Sequence, residues 1–327
     1  KVLLICTQIL FRVVHIGKKI RGSYMNEKII QGVDGHQIQV FTWENENPSA
    51  WIHINHGMAE HAKRYDAFAE QLVVAGFSVV AHNHRGHGDS TTTQVGSYGQ
   101  ADSWSNVLKD LETVRDEICD QNIPYFIFAH SMGSFIAQSY LSSCSRKIDG
   151  LILSGSNLQP AWLSKAGRFV ASIERMRLGR DNSSQLLQFL SFGSFNQAFK
   201  PNRTEYDWLS TDSEQVDKYI SDPLCGFPCS TGLWHEFLNA LAQLFKKGNL
   251  KNIQANLPIL IMGGDQDPVG LMGKGLAKLA RAYEDAGQKQ VTLTLYENGR
   301  HEMLNEANGE KVGLDVIGWL QAQHPAA

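Results

Sequence analysis

Positive charge is not in excess along this chain. Lys and Arg total 30 against 33 Asp and Glu, for a formal net charge of −3, and the sequence pI is near 6.5. That balance excludes the basic footprint of a nucleic-acid binder, so no nucleic-acid partner is expected. Cysteine is also scarce. Cys6, Cys119, Cys144, Cys225 and Cys229 form no paired framework, which argues for a reduced, cytoplasmic protein. Cys225 and Cys229 could meet across Gly226-Phe227-Pro228, but a zinc site would want more ligands nearby. Internal repeats and low-complexity tracts are missing, and 327 residues suit one α/β domain carrying an insertion.

The first stretch stands apart. Val2 to Cys6 and Ile9 to Phe11 are apolar, but Arg12 and His15 interrupt them. The stretch falls short of the roughly 20 residues that span a bilayer, and no small-residue cleavage site follows. Residues 1–24 therefore read as a segment foreign to the domain or lying upstream of it, a membrane-associating helix being the other reading. Met25 opens a more regular pattern.

From there strand-like runs lie near 28–33, 36–43, 51–55, 77–81, 124–128, 149–154, 257–262 and 290–296. Helical patterns fall between them, most clearly the stripe Trp104, Val107, Leu108, Leu111, Val114, Ile118. Such alternation predicts an α/β fold, a mostly parallel central sheet with helices on both faces and an antiparallel strand from the first hairpin. The alternation fails between about Asn157 and Thr231, where Trp162, Phe169, Val170 and Ile173, then Leu186 to Phe199, read as helix. The expected organisation is a core of 25–156 and 232–327 with a helical cap at 157–231.

Chemistry concentrates at Pro124 to Ser134. The apolar run Tyr125 to Phe128 ends in Ala129-His130-Ser131-Met132-Gly133, and a helix begins at once. A serine at a sharp strand-to-helix bend, flanked by small residues, has its hydroxyl lifted to the top of the sheet: a nucleophile elbow, with Ala129 in place of the usual first glycine. The fold then requires an acid and a histidine beyond later strands, in that order. Asp267, past the apolar run Leu257 to Met262 and Gly263-Gly264, is the expected acid, with Asp265 second. His301, after the strand-like Val291 to Tyr296 and the loop Glu297 to Arg300, is the expected base. Near the front, Ala50 to Asn55 reads as a strand followed by His56-Gly57-Met58-Ala59-Glu60-His61. The backbone N–H groups of Met58 and Met132 are the expected oxyanion donors, with His56 bracing the loop.

The run His82-Asn83-His84-Arg85-Gly86-His87-Gly88-Asp89 admits a rival, since its histidine spacing resembles that of metallo-β-lactamase-like hydrolases. There an aspartate precedes the third histidine. Here Gly86 does, and His130 is taken by the elbow. The preferred reading is a tight structural turn, with Arg85 and Asp89 paired.

Taken together, His56 to His61 with Arg64-Tyr65, His84 to Ser90, Ala129 to Gly133, Asp222-Pro223, Gly264 to Val269 and Gly299-Arg300-His301 resemble the monoacylglycerol lipase and lysophospholipase branch of the α/β-hydrolases. The resemblance runs from about Met25 onward and departs at Ala129 and at Asn83, where an aspartate is common. It implies a carboxylic ester hydrolase of the serine type. Ester substrates would be a monoacylglycerol, a lysophospholipid or a short-to-medium acyl ester. It also implies a small-molecule or lipid substrate, transient contact with a lipid surface, and no metal or organic cofactor. Other Ser-His-Asp chemistries on the same fold are the alternatives: C–C bond hydrolysis, or prolyl aminopeptidase activity with Glu174, Glu205 or Asp207 as anchor for the substrate amine. A non-catalytic binding module is a further alternative.

Overall fold

The computed structural model describes residues 25–89, 93–99, 103–144, 146–246 and 248–324. The reading of residues 1–24, and Cys6 with it, lies outside them.

Eight strands form one sheet in the order β1-β2-β4-β3-β5-β6-β7-β8. They are β1 (Asn26–Gln31), β2 (Gln37–Trp43), β3 (Trp51–Asn55), β4 (Ser78–His82), β5 (Tyr125–His130), β6 (Gly150–Ser154), β7 (Ile259–Gly264) and β8 (Val291–Tyr296). β2 runs antiparallel to both β1 and β4, and the other ladders are parallel. The central strands β3 to β7 are buried along their whole length. Their continuous apolar runs follow from that burial, because helices cover both faces of a parallel sheet.

Helices α1 (Asp66–Val74), α2 (Ser103–Ile118) and α3 (Met132–Ser143) alternate with the early strands. Within β5, Phe126 and Phe128 point into the core shared with Phe68 and Leu72 of α1, while Ile127 and Ala129 face the core shared with Val107 and Leu111 of α2. The two-residue period of a strand thus feeds two separate cores. The closing helices are α7 (Lys274–Asp285) and α8 (Gly309–Gln323). α7 sends Leu276, Leu279 and Tyr283 into the second of those cores, and α8 sends Val312, Val316 and Leu320 into the first.

Between β6 and β7 the chain forms no strand longer than a single bridge, at Ser183 and Ser230, among the described residues. Instead come α4 (Ala161–Leu178), short helical turns through 185–199, α5 (Ser213–Ser221) and α6 (Thr231–Leu244). α6 packs along α4 and also reaches α3 and α2. No helix among the described residues is long and apolar enough to cross a membrane.

One expectation is corrected here. Arg85 does not take Asp89. Its guanidinium donates to Asp110 of α2 at 2.5 and 2.8 Å and to Asp34 of the β1–β2 turn at 2.6 and 2.7 Å. Asp89 is exposed, so the buried arginine is satisfied by two carboxylates far away in sequence. Asn83 also finds its reason: its Oδ1 accepts from the Ala62 N–H at 2.9 Å while its Nδ2 donates to Gln39 at 2.6 Å. An ionised aspartate could do only the first.

Candidate active site

Ser131 sits between the end of β5 and the start of α3 with φ 50° and ψ −119°. That backbone is costly for a residue with a Cβ and persists only where its surroundings over-determine it. The glycine two residues on shows why the bend admits only small neighbours. A Cβ on Gly133 would lie 2.3 Å from the Asn55 carbonyl oxygen. At Gly57 a Cβ would come within 2.7 Å of the Glu60 Oε1 that closes the turn after β3, with His130 and Ser131 tight at 3.2 Å.

The tertiary fold brings three distant residues to one place. His301 Nε2 lies 2.9 Å from Ser131 Oγ, and His301 Nδ1 lies 3.1 Å from Asp267 Oδ1. Asp267 is fully buried and also accepts from the Val269 N–H at 2.8 Å. Asp265, the second choice for the acid, instead accepts from the Asn298 N–H at 2.8 Å. Burial alone would lower the His301 pKa. The charge of Asp267 and its hydrogen bond outweigh burial and hold the imidazole above its ordinary range. His130 lies against it, ring centroids 4.7 Å apart, and burial followed by the nearby His301 pulls His130 down to about 4.

A cavity of about 460 Å³ opens onto Ser131. Met58 and Met132, whose N–H groups are the expected oxyanion donors, line it. So do Phe135, Val170, Leu187, Trp234, Phe237 and Leu241. No charged side chain among the described residues lines it. Glu174 bonds Arg177 and Ser184, and Asp207 takes the N–H groups of Arg203 and Thr204. Glu205 borders a different pocket.

Of the histidines of the rival metal reading, His82 and His87 each spend one ring nitrogen on a hydrogen bond, whereas His84 is held only through its backbone N–H, both of its buried ring nitrogens lacking a hydrogen-bond partner among the described residues. His82 Nδ1 pairs with His53 at 2.9 Å, His87 Nδ1 with the Arg85 carbonyl at 3.0 Å, and His56 Nε2 accepts from the His84 N–H at 3.0 Å. His56 thus braces the loop as expected. Among the described residues, the one group whose ligand-type atoms converge is His61, Asp222 and Cys225, and its His61 Nε2 is hydrogen-bonded to Asp222 at 2.8 Å.

Sequence reasoning gave no role to Trp208, whose ring lies 4.9 Å from that of His301, nor to Glu60, Arg64 and Glu302, which form one mostly buried ion cluster beside the site. Glu60 and Arg64 belong to the motif after β3, but their pairing with a residue as far as 238 positions away leaves no local signal.

The family model for serine aminopeptidase S33 (Hydrolase_4) matches residues 46–308. A monoacylglycerol lipase of Mycolicibacterium smegmatis is 26% identical over 305 residues, 91% of this chain and 98% of that protein. A longer abhydrolase domain-containing protein of Dictyostelium discoideum is 25% identical over 292 residues, 88% of this chain but only 28% of its own length. Among solved structures, a thermostable carboxyl esterase from Bacillus coagulans superposes with a TM-score of 0.83 at 25% identity, covering 91% of this chain and 98% of that one. With the matched span running from just before β3 past His301, the chain belongs to the serine aminopeptidase S33 family of α/β-hydrolases.

Proposed function

We propose that this protein is a serine carboxylesterase that cleaves monoacylglycerols, lysophospholipids or short-to-medium acyl esters through an acyl-enzyme. The observation that carries the reading is the Ser131–His301–Asp267 chain of contacts at the floor of an apolar cavity. Ser131 Oγ attacks the ester carbonyl as His301 Nε2 takes its proton. The imidazolium, steadied by Asp267, then returns the proton to the leaving alcohol. The N–H groups of Met58 and Met132 hold the oxyanion, at about 3–4 kcal/mol per donor. Water next attacks the acyl-enzyme, with His301 again as base, and frees the acid.

The lining favours an ester over an N-terminal peptide. An ammonium group entering the site would need a carboxylate partner to offset its desolvation, and the described cavity lining provides none. Lipase and esterase relatives support the same choice. We assign residues 157–231 to a cap over residues 25–156 and 232–327, because Leu163, Val170, Leu187, Leu190 and Trp208 come to the cavity from that stretch.

Transient lipid-surface contact fits α4. Trp162, Phe169, Ile173 and Met176 are exposed on it, spaced so that they share one face. Leu163 and Leu190, also exposed, reach the cavity itself. An apolar helical stripe beside Lys165 is suited to lie in a headgroup layer. A reducing, cytoplasmic setting is consistent with Cys119, Cys144, Cys225 and Cys229 being free thiols.

The test is hydrolysis of p-nitrophenyl butyrate followed by a panel of monoacylglycerols of graded chain length, with prolyl and C–C substrates alongside. Ser131→Ala is expected to lower turnover about 10⁶-fold. Wild-type rates in that variant would reject the nucleophile, and faster cleavage of prolyl substrates would reject the esterase.

A further inference from the structure

Beside the site, two buried carboxylates and one mostly buried guanidinium meet, and their charges do not balance. Glu60 and Glu302 are 3% and 6% exposed. Arg64 Nη1 donates to Glu60 Oε2 and to Glu302 Oε1, both at 2.7 Å, and its Nη2 donates to Glu302 Oε2 at 2.7 Å. Two carboxylates share one guanidinium, so one negative charge stays uncancelled within the cluster. Apolar side chains of similar volume would stabilise such a place at least as well. Stability alone is therefore a poor reason for the cluster.

Its location suggests a better one. Glu302 directly follows His301. Glu60 Oε1 accepts from the Gly57 N–H and from the Tyr65 hydroxyl, and so closes the turn that carries Met58. Asn305 Nδ2 donates to Glu302 at 2.8 Å. The same turn is held from the cap: the Tyr219 hydroxyl and the Gly226 N–H both donate to the Ala59 carbonyl at 2.9 Å. Arg64 lies 4.9 Å over the Tyr219 ring, and the Glu302 N–H donates to the Leu209 carbonyl at 2.8 Å.

We propose that Glu60 and Glu302, bridged by Arg64, are positioning residues that lock the oxyanion turn to the His301 segment and lend the imidazolium a second source of negative field behind Asp267. The proposal rests on the triad reading above. Removing charge from the cluster should therefore act on the protonation of His301 as well as on geometry.

The groups facing His301 allow this. They are Ser131, Asp267 and the rings of His130 and Trp208, with Glu302, Glu60 and Arg64 behind. Arg300 is turned to the carbonyls of Asp207 and Ser210. His130, held near 4, is neutral at working pH and does not cancel the field. After Asp267, the charges of Glu302 and then Glu60 add to the elevation of His301. Burial would raise both carboxylates, but Arg64 outweighs it and keeps them ionised.

The experiment measures kcat and KM for p-nitrophenyl butyrate against pH in wild type, Glu302→Gln, Glu302→Asp and Glu60→Gln. Functional sites are counted by titration with a fluorophosphonate. In each Gln variant the acid limb of kcat/KM is expected to move down by about half a pH unit or more. Over the same variants kcat should fall about tenfold per titrated site with KM changing less than about twofold. Glu302→Asp, which keeps the charge, should leave the limb in place. An unmoved limb in both Gln variants overturns the proposal. So does a failure of both to give any titratable serine, since the cluster would then be only structural. Ser131→Ala, run in parallel, separates this from failure of the triad itself, which would show as undiminished turnover in that variant.

Discussion

Ser131 holds a backbone angle that L-residues avoid, at a cost of about 1–3 kcal/mol, and Gly133 and Gly57 are kept small because a Cβ on either would crowd the atoms around that bend. At the residue scale, position decides chemistry between near-identical groups. Asp265 and Asp267 are two residues apart, yet one caps a surface turn and the other accepts from His301. Asp267→Asn should lower kcat about 10⁴-fold, because the asparagine favours the wrong imidazole tautomer. Asp265→Asn should stay within a few-fold of wild type. Steady-state kinetics on the two variants checks this, and equal losses would put the acid elsewhere.

At the scale of elements, α4 and the Arg85 turn make different kinds of contact. The exposed stripe of α4 predicts a split between substrates. Trp162→Asp with Phe169→Asp should leave turnover of soluble p-nitrophenyl butyrate within about twofold, while hydrolysis of monoacylglycerol presented in anionic vesicles falls about tenfold or more. Equal effects on both would deny a role for a lipid surface. Arg85 instead ties the turn after β4 to the β1–β2 turn and to α2. Burial, the largest influence, raises Asp110 to about 6 despite the arginine. Arg85→Ala would leave that carboxylate buried and unpaired, with an expected loss of about 3–5 kcal/mol in urea unfolding. A loss below about 1 kcal/mol would show that water reaches Asp110 freely.

At the scale of the whole molecule, several fully or almost fully buried histidines are held neutral by burial. Burial pulls His87 down to about 4 and His82 to about 3, and His130 is near 4. Each has a folded pKa below its unfolded value of about 6.5. The unfolded chain therefore binds more protons once pH falls below about 6.5, and stability drains away as pH descends toward the folded values. One pH unit below the unfolded pKa, each such group costs about 1.4 kcal/mol. His301, with a raised pKa, and Asp110, raised to about 6, work in the opposite direction, but they are outnumbered, because burial also holds His53, His56 and His84 well below the ordinary range. The expected outcome, followed by calorimetry, is a melting temperature nearly flat above about pH 7 that falls steeply between about pH 6.5 and 4.5. A flat profile down through about pH 5 would mean that these rings are protonated in the fold.

The sequence by itself determined the alternation of strands and helices, the place where that alternation breaks, and the order of serine, acid and histidine. These are written in local periodicity, and a strand buried on both faces or a strained bend restricts residue types within a few positions of itself. The departure at Asn83 is visible in the sequence but has no reason there, because the reason is Gln39 and Ala62 around it. Only the tertiary structure decided which carboxylates meet Arg85, that Asp267 rather than Asp265 reaches His301, and that Glu60 and Glu302 share Arg64. Many ion pairs and hydrogen bonds of this kind join residues tens to hundreds of positions apart. Their energy depends on distance and burial in three dimensions, and neither quantity leaves a periodic mark along the chain.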